Sequence, residues 1–408
     1  MAESIDYDVL IIGGGMVGAS LASALGGEQL RLAVAEAVPF QSDNQPSYDD
    51  RGLILAPSSQ RVFAGIGLWQ ELAPRVTPIH RIHVSDRGHF GFTHLDAEAM
   101  GMSALGHVAV ARDIGQALLS RMAALDNVDL LCPTRLVAVT IHPQFVEATV
   151  DDGTYCRTLT ARLLIAADCS NSRIRELLHI ESDYKDYRQT AVVANVTPER
   201  PHDNTAYERF TSSGPLAIIP LTGQRCVTVW GARTDETELL LTLDDETFLQ
   251  KLTERFCGRL GRFLKVGRRR AYPLKLIRAR RQVGPRWVLI GNAAHGIHPN
   301  AAQGLNLGLR DVAVLAEILA EAGRAGKDPG IPEVLNTYPD RRRQDHWQTI
   351  ALSDGLTRMF YNEFRPLVVT RNVAMLAIDL IPPLKRGLVR RAMGLTGYQP
   401  RLVRGLPL

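Results

Sequence analysis

Three glycines, Gly13, Gly15 and Gly18, stand in G-x-G-x-x-G spacing, with Met16 and Val17 between the last two. Glycines so placed permit a tight turn and let backbone N–H groups approach a pyrophosphate at a helix N-terminus. Glu36 lies 18 residues further on, where a carboxylate can accept from ribose hydroxyls and would repel a 2′-phosphate. The elements that must position these groups are legible around them. Residues 9–12 form an unbroken apolar run, as expected for a strand covered on both faces. Ala19, Ser20, Ala22, Ser23 and Ala24 keep the next helix slim, and residues 30–35 give a second apolar strand ending at Glu36. Strand, slim helix, second strand and terminal acid in that order make an ADP-binding βαβ unit.

A second glycine-rich helix start comes about 290 residues later. Residues 287–290 form an apolar strand ending in Gly291-Asn292, and AAHGIHPNAAQGLNLGLRD follows. Gly304, Asn306 and Gly308 are expected to leave backbone N–H groups exposed at a positive dipole end, suited to an electron-rich ring or an anion. A cofactor with ADP on the first unit and a ring at this second end points to FAD rather than NAD. His298 and Pro299 immediately precede that helix start and are expected to line the ring-side cavity; a structural hydrogen bond is the alternative for His298. Asp168 ends another buried strand, 162–167, and either faces a ligand or belongs to a helix start capped by Ser170 or Ser172. Arg51 sits where a polar loop, 41–52, returns to a helical pattern. It serves either a phosphate of the dinucleotide or solvent.

Between these parts the pattern changes. Residues 189–233 carry short β-branched stretches separated by Pro and Gly turns, an antiparallel sheet rather than continued βαβ winding. A helix over 245–259 and a strand around 271–276 complete it. Residues 80–92 read as a hairpin, Arg112 opens a helix ending near residue 126, and Asp152-Gly153 is a hairpin turn. The expected fold is α/β: a Rossmann-like FAD-binding domain in two parts (1–180 and 281–350), an inserted antiparallel-sheet substrate domain (181–280) and a C-terminal helical tail (351–408).

Composition is that of an ordinary globular protein of 408 residues. Five scattered cysteines form no C-x-x-C or Cys/His cluster, so neither a metal site nor a disulfide framework is expected. There is no basic, apolar leader and no charge-free run of about 18 apolar residues, which predicts a cytoplasmic protein without a spanning segment. The net charge of +4 is unevenly placed: residues 353–408 carry nine Arg or Lys against three Asp or Glu. Those cations alternate with apolar residues and lack an aromatic stacking platform, which speaks against nucleic acid. They suit either a helix in a lipid headgroup layer or a helix packed on the FAD domain.

The early glycine motif, the mid-chain Asp168-Cys169 and the late Gly291-Asn292 leading into a proline and a glycine-rich helix start resemble those of the single-component FAD-dependent aromatic hydroxylases, the GR2 or para-hydroxybenzoate hydroxylase class. HPNAAQGLNLGLRD, VSDRGHFGF, ANV and ERFTSSGPLAIIP resemble its ubiquinone-biosynthesis branch, and the likeness runs along essentially the whole chain. The resemblance implies that Gly13, Gly15, Met16, Val17, Gly18 and Glu36 hold the ADP half, with Arg51 and Arg112 near the phosphates and ribityl chain. Asp168 would lie on the pyrophosphate or nicotinamide side, and Gly291 and Asn292 near the ribityl and pyrophosphate region. Gly304, Leu305 and Asn306 would face the isoalloxazine. It further implies hydroxylation of a polyprenyl phenol, of the 2-polyprenyl-6-methoxyphenol type, through a C4a-hydroperoxyflavin. O₂, a reduced nicotinamide or other donor, the cytoplasmic face of a membrane and partners in a ubiquinone-biosynthesis complex follow from the same likeness. A same-fold enzyme on a soluble aromatic acid or a prenyl double bond, and a flavin-bound scaffold subunit, are the alternatives. An acid substrate would need a buried arginine, for which Arg209, Arg225 and Arg233 are candidates. Three positions depart from the wider pattern: Cys169 and Ala302 stand where the family has glycine, and Asn292 where it has aspartate.

Overall fold

The apolar run at the N-terminus becomes the central strand of a parallel sheet because its side chains have nowhere polar to go. In the computed structural model, which describes residues 5–40 and 49–408, Val9, Leu10 and Ile11 are fully buried. Strand Tyr7–Ile12 pairs in parallel with Leu32–Ala35 on one side and Cys156–Ala166 on the other, and Trp287–Leu289 adds in parallel beyond. Val128–Leu131 pairs with Leu32–Ala35, and Val146–Asp151 on Cys156–Ala166, Arg135–Ile141 beyond it and Val283–Gly284 on Trp287–Leu289 bring the sheet to eight strands. Much of the polar loop expected over 41–52 lies outside the described residues.

Helix Met16–Ala24 is slim as expected, with Ala19, Ser20, Ala22 and Ser23 all buried. Its partner is the 22-residue helix Gln303–Arg324, buried along most of its length and carrying Leu309, Val312, Ala313, Ala316 and Leu319 into the same core. The close approach is set by Gly308: a Cβ there would stand 2.9 Å from Val17 and 3.3 Å from the Cα of Gly291. Gly308 is thus a packing glycine five residues into the helix, not an exposed amide at its start. The sequence expectation is corrected at that position, because the helix begins at Gln303.

The second sheet has nine strands. Its long member, Ser182–Pro198, pairs antiparallel with Cys226–Arg233 and Arg270–Ala279, and Leu216–Pro220 and Thr205–Phe210 follow outward. It is not wholly antiparallel. Thr205–Phe210 pairs in parallel with Arg81–Asp86, the first strand of the hairpin read at 80–92, whose second strand is Phe92–Asp96. That hairpin lies within 1–180 yet belongs to this sheet, where Ile82 and Val84 prolong its apolar face. Helices Thr234–Thr242 and Asp245–Phe256 cover the outer face through Trp230, Phe248 and Leu252, and Asp244 caps the second by accepting from the Thr247 N–H at 2.8 Å. The inner face turns toward a three-stranded sheet (Gly52–Leu55, Thr77–Ile79, Gly106–Val110) and the C-terminal helices.

Those helices are Thr337–Tyr361, Arg365–Leu380 and Pro382–Ala392, the last two bent 98° apart where Pro382 and Pro383 begin a new axis. Arg365–Leu380 docks on the inserted sheet rather than on the FAD domain. Asn372 Oδ1 accepts from the Gly91 N–H at 2.6 Å, Thr93 Oγ1 donates to the Met375 carbonyl, and Asp379 accepts from the His94 N–H. Arg371 ties the joint together, donating to buried Asp86 at 2.8 Å and to the carbonyls of Met359 and Asn362. The chain then returns to the first domain, where Leu402 packs over Gly65.

Candidate functional site

The glycine turn after the first strand leaves no room for side chains. A Cβ on Gly13, whose φ is +105°, would lie 2.5 Å from the Ala167 carbonyl, and one on Gly18 would lie 1.9 Å from the Gly13 carbonyl. Glu36 is buried at the end of its strand, where its two oxygens accept from the Gly14 and Val38 N–H groups at 2.8 Å each. One lone pair on each oxygen is thus committed to shaping the turn, and the others are left for hydroxyl donors. Helix Met16–Ala24 starts at Gly15 with no side-chain cap and no acid in its first turn, so its dipole end is open to an anion.

Asp168 abuts this turn, with its Cα 3.0 Å from where a Gly13 Cβ would be. Oδ2 accepts from the Ile174 N–H at 3.2 Å, while Oδ1 is buried with no hydrogen-bond partner among the described residues. Burial raises its carboxyl above the usual range, against the pull of the amides at the helix start. The cap itself is Ser172, which accepts from the Arg175 N–H. Cys169 adopts φ +75°, so the left-handed turn that glycine favours is kept with a side chain in place.

The second glycine-rich segment packs on the first helix. Gly291, at φ +56°, and Gly308 both pack on Val17, bringing the Gly291-Asn292 turn and helix Gln303–Arg324 onto the amino end of helix Met16–Ala24. Ala302 caps the long helix in the left-handed region (φ +50°, ψ +41°), again taking a glycine's conformation. That helix has neither a side-chain cap nor an acid in its first turn, and a Cβ on Gly304 would meet open space. Asn292 is exposed and Leu305 partly buried.

Several residues singled out from sequence have partners within the protein. The buried Asn306 amide is fully used: its oxygen accepts from the Ala56 N–H and the Ser59 hydroxyl, and its nitrogen donates to the Ile54 and Ala302 carbonyls. Only its backbone remains to face a ring. His298 is buried, with Nδ1 accepting from the Asn300 N–H and Nε2 3.3 Å from Gln189 Oε1, and burial holds its pKa down at about 4. The ring is neutral and held by these two partners, and Pro299 beside it is exposed. Arg51 pairs with buried Asp49 at 2.6 Å and lies over the Tyr272 ring, while Arg112 pairs with Asp50 at 3.2 Å.

Beneath the second helix start is a cluster that sequence reasoning missed. Asp311, fully buried, accepts from the Gly291 N–H at 3.1 Å and from Arg342 Nε at 2.7 Å, and it meets His295 Nε2 at 2.7 Å and His346 Nε2 at 2.6 Å. Burial alone would raise its carboxyl; His346, Arg342 and His295 together hold it well below the usual range. Burial lowers His346 to about 4, and its Nδ1 faces the Gln282 amide, which fits a neutral ring donating from Nε2. His295, Asp311 and His346 have the donor types of a metal site. The Arg342 guanidinium already supplies the cation, so the group is a charge cluster bracing Gly291.

A family model for an FAD binding domain matches residues 6–353, most of the chain. The chain belongs to this FAD-binding family. FAD is accordingly its cofactor. The ubiquinone hydroxylase UbiL of Rhodospirillum rubrum is 41% identical over 404 residues, covering 98% of this chain and 93% of that one. The 3-demethoxyubiquinol 3-hydroxylase of Escherichia coli is 31% identical over 394 residues, covering 95% and 98%. Among solved structures, p-nitrophenol 4-monooxygenase of Pseudomonas putida shares the fold at a TM-score of 0.80 and 18% identity, over 96% of this chain and 98% of that one. The residues present fit the cofactor. A side-chain-free turn and an uncapped helix suit its pyrophosphate, Glu36 keeps acceptor capacity for ribose, Asp168 holds an orphaned oxygen beside the turn, and open space lies over Gly304.

Proposed function

We propose that this protein is an FAD-dependent monooxygenase that hydroxylates the ring of a polyprenyl phenol in ubiquinone biosynthesis. The observation that carries the reading is the packing of two helices with uncapped starts, Met16–Ala24 and Gln303–Arg324, on each other through Val17, Gly291 and Gly308. The end-to-end likeness to a ubiquinone hydroxylase supports the substrate class. Bound FAD supplies the activation of O₂, drawing electrons from a reduced nicotinamide or another donor. The chain's own residues bind, orient and dry the site. Amides at Met16 and Val17 would hold the pyrophosphate, and the amide end at Gly304 would serve the ring. The inner sheet face, with Ala217, Val193 and Val229, supplies an apolar wall that keeps water away. Hydroxylation requires the reacting carbon to be held within about 3–3.5 Å of the oxygen it attacks, which that wall and the bracing of His298 to Gln189 support.

A soluble aromatic acid is disfavoured. Arg225 and Arg233 are exposed and bound to Thr222 and Asp235, and Arg209 lies beside Cys257 on the outer face. The deeply placed guanidiniums at this end of the sheet are already engaged, Arg255 by Ser213, Thr211 and the Gly214 carbonyl and Arg371 by Asp86. Cys169 keeps the glycine-like turn, which removes the main reason to think of a scaffold without chemistry.

No single helix is long and apolar enough to cross a membrane among the described residues. The bend between the last two long helices instead presents Leu380 (75% exposed), Ile381 and Leu384 beside Arg386 and Arg390, with Phe364 (66% exposed) at the other end. We assign this corner to the cytoplasmic face of a membrane, where an anionic surface adds about 1 kcal/mol per nearby cation. Purified protein should be yellow and should consume O₂ with NADH or NADPH when given a short-chain prenyl methoxyphenol, forming a hydroxylated product. Vesicles containing anionic lipid should sediment the wild type and release L380D/L384D, which keeps its flavin. A colourless protein or uncoupled oxidation without product would overturn the catalytic reading, and equal sedimentation of the variant would overturn the membrane one.

A further inference from the structure

The inner face of the second sheet carries one carboxylate where every lateral neighbour is apolar. In the register, Glu208 stands opposite Val84 on one side and Ala217 on the other; Ala217 pairs with Val229, and Val229 with Val193. Along its own strand it is flanked on the same face by Ala206 and Phe210, both buried in apolar clusters. No hydrogen bond or ion pair reaches the Glu208 carboxylate among the described residues, although the side chain is mostly buried. An unpaired carboxylate in an apolar wall is costly and calls for a use.

The wall is shared with the second helix start. Strand Gly52–Leu55 and helix Pro382–Ala392 supply Ile54 and Val389 to the apolar cluster that contains Ala206 and Ala217. The same two elements bond the helix start, through Asn306 to the Ile54 carbonyl and Gln303 to the Ala392 carbonyl. Gln189, seven residues before Val196 on the long strand and on the inner face with Val193, reaches His298 just ahead of that start. A second polar group lies nearby: the buried Tyr361 hydroxyl is beside Gln189, within electrostatic reach of Glu208 and Arg255. Tyr361 also lines a shallow surface recess with Ser212, Arg358 and Glu363.

We propose that Glu208 is the base that takes the proton from the substrate's phenolic hydroxyl. The inference rests on the phenol reading above. The O–H bond breaks, the proton goes to a Glu208 oxygen, and the electron pair stays on the phenolic oxygen and spreads to the ortho and para ring carbons. No electron is transferred to the protein. Burial among apolar neighbours pushes the Glu208 carboxyl up to about 7, which places it near the pH at which a general base works best. The charged groups around it leave it in that state: Asp86, two residues from Val84 on the same face, is matched by Arg371, and His298 is neutral. Tyr361 itself is raised well above the ordinary phenol range by burial, so it enters as a neutral hydrogen-bonding group.

The test uses the flavin-loaded full chain and the variants Glu208→Gln and Glu208→Asp, each first checked for wild-type flavin content. Binding of a short-chain prenyl methoxyphenol and of its methyl ether, which has no proton to give, is measured calorimetrically from pH 5.5 to 8.5. Wild type should prefer the phenol about ten- to hundred-fold above pH 7, as one hydrogen bond to a charged group predicts, and lose that preference below. Glu208→Gln should bind both alike at every pH and hydroxylate about 10²-fold or more slowly, with Glu208→Asp restoring part of both properties. If Glu208→Gln keeps the preference and its pH dependence, Glu208 is not the base. If wild type binds neither compound, the substrate reading falls first and this proposal with it.

Discussion

Asp311→Asn removes one charge from the cluster under the Gly291 turn, and its effect can be worked from the contacts. The carboxylate meets four nitrogens: Arg342 Nε, His346 Nε2, His295 Nε2 and the Gly291 amide. An amide of the same shape accepts on one side only and points N–H groups at donors on the other. Removing one partner of a buried pair costs about 3–5 kcal/mol, because the remaining charge is left without compensation. Arg342 keeps Asp345 at 2.5 Å, which places the loss near the lower end, about 3 kcal/mol. Spread over 408 residues, with an unfolding entropy of about 2 cal/mol/K each, that is roughly 3–4 °C in melting temperature. Urea unfolding of flavin-free protein reads the larger relative change, and a double-mutant cycle with Arg342→Met should show coupling of about 1–3 kcal/mol. Flavin should also be held less tightly, since the Gly291 N–H loses its acceptor. A loss below 1 kcal/mol, additive with Arg342→Met, would refute the assignment of Asp311 as the anchor.

Gly18→Ala should yield colourless protein, because the new methyl would sit 1.9 Å from the Gly13 carbonyl; retained yellow colour at wild-type stoichiometry would contradict the turn geometry. Cys169→Gly and Ala302→Gly should each stabilise by up to about 1 kcal/mol in urea. The left-handed backbone costs a side-chain-bearing residue about 1–2 kcal/mol, and glycine's added unfolded freedom returns about 0.5–1 of it. In mild acid two buried histidines should destabilise the fold, against the opposite contribution of Glu208, whose raised carboxyl favours the folded state as pH falls through 7. His83 and His298 are held at about 4 by burial, below the unfolded value of about 6.5, so their contribution is complete above pH 6.5 and is lost as pH falls toward 4. That amounts to about 2 kcal/mol for each at pH 5, and His298→Gln should flatten the slope of urea midpoint against pH between 7.5 and 5.

What could be read from sequence was whatever is encoded locally. Gly13, Gly15 and Gly18 reveal themselves because one turn needs all three within six residues, and the apolar run at 9–12 admits only a strand covered on both sides. Asp152-Gly153 marks its hairpin for the same reason. Glu208 could not be picked out. In AYERFT it reads as one polar residue in an alternating strand, and which face that strand buries depends on helices more than 100 residues away. Asp311 was hidden differently: its partners His295, Arg342 and His346 lie 16, 31 and 35 residues off, with no spacing that names them. Asn306 and Gly308 were given to the ligand because sequence marks a glycine-rich helix start without showing which amide is first. The helix begins three residues before Asn306, which put its side chain into the bracing of strand Gly52–Leu55. The 80–92 hairpin was recognised as a hairpin, but its sheet was set by a parallel partner, Thr205–Phe210, about 120 positions later.

The three-way touch of Val17, Gly291 and Gly308 has a bearing on how the protein is made. At the ribosome, residues up to Ala24 emerge early, yet the surface that closes over them is translated only about 290 codons afterward. At 5–20 residues per second that delay is roughly 15–60 s. During it the glycine turn is a half-built pocket whose slim helix has no long neighbour. Loading of the yellow cofactor therefore waits for the long helix to be made, and scarcity of riboflavin would be felt as a loss of accumulated protein as well as of activity.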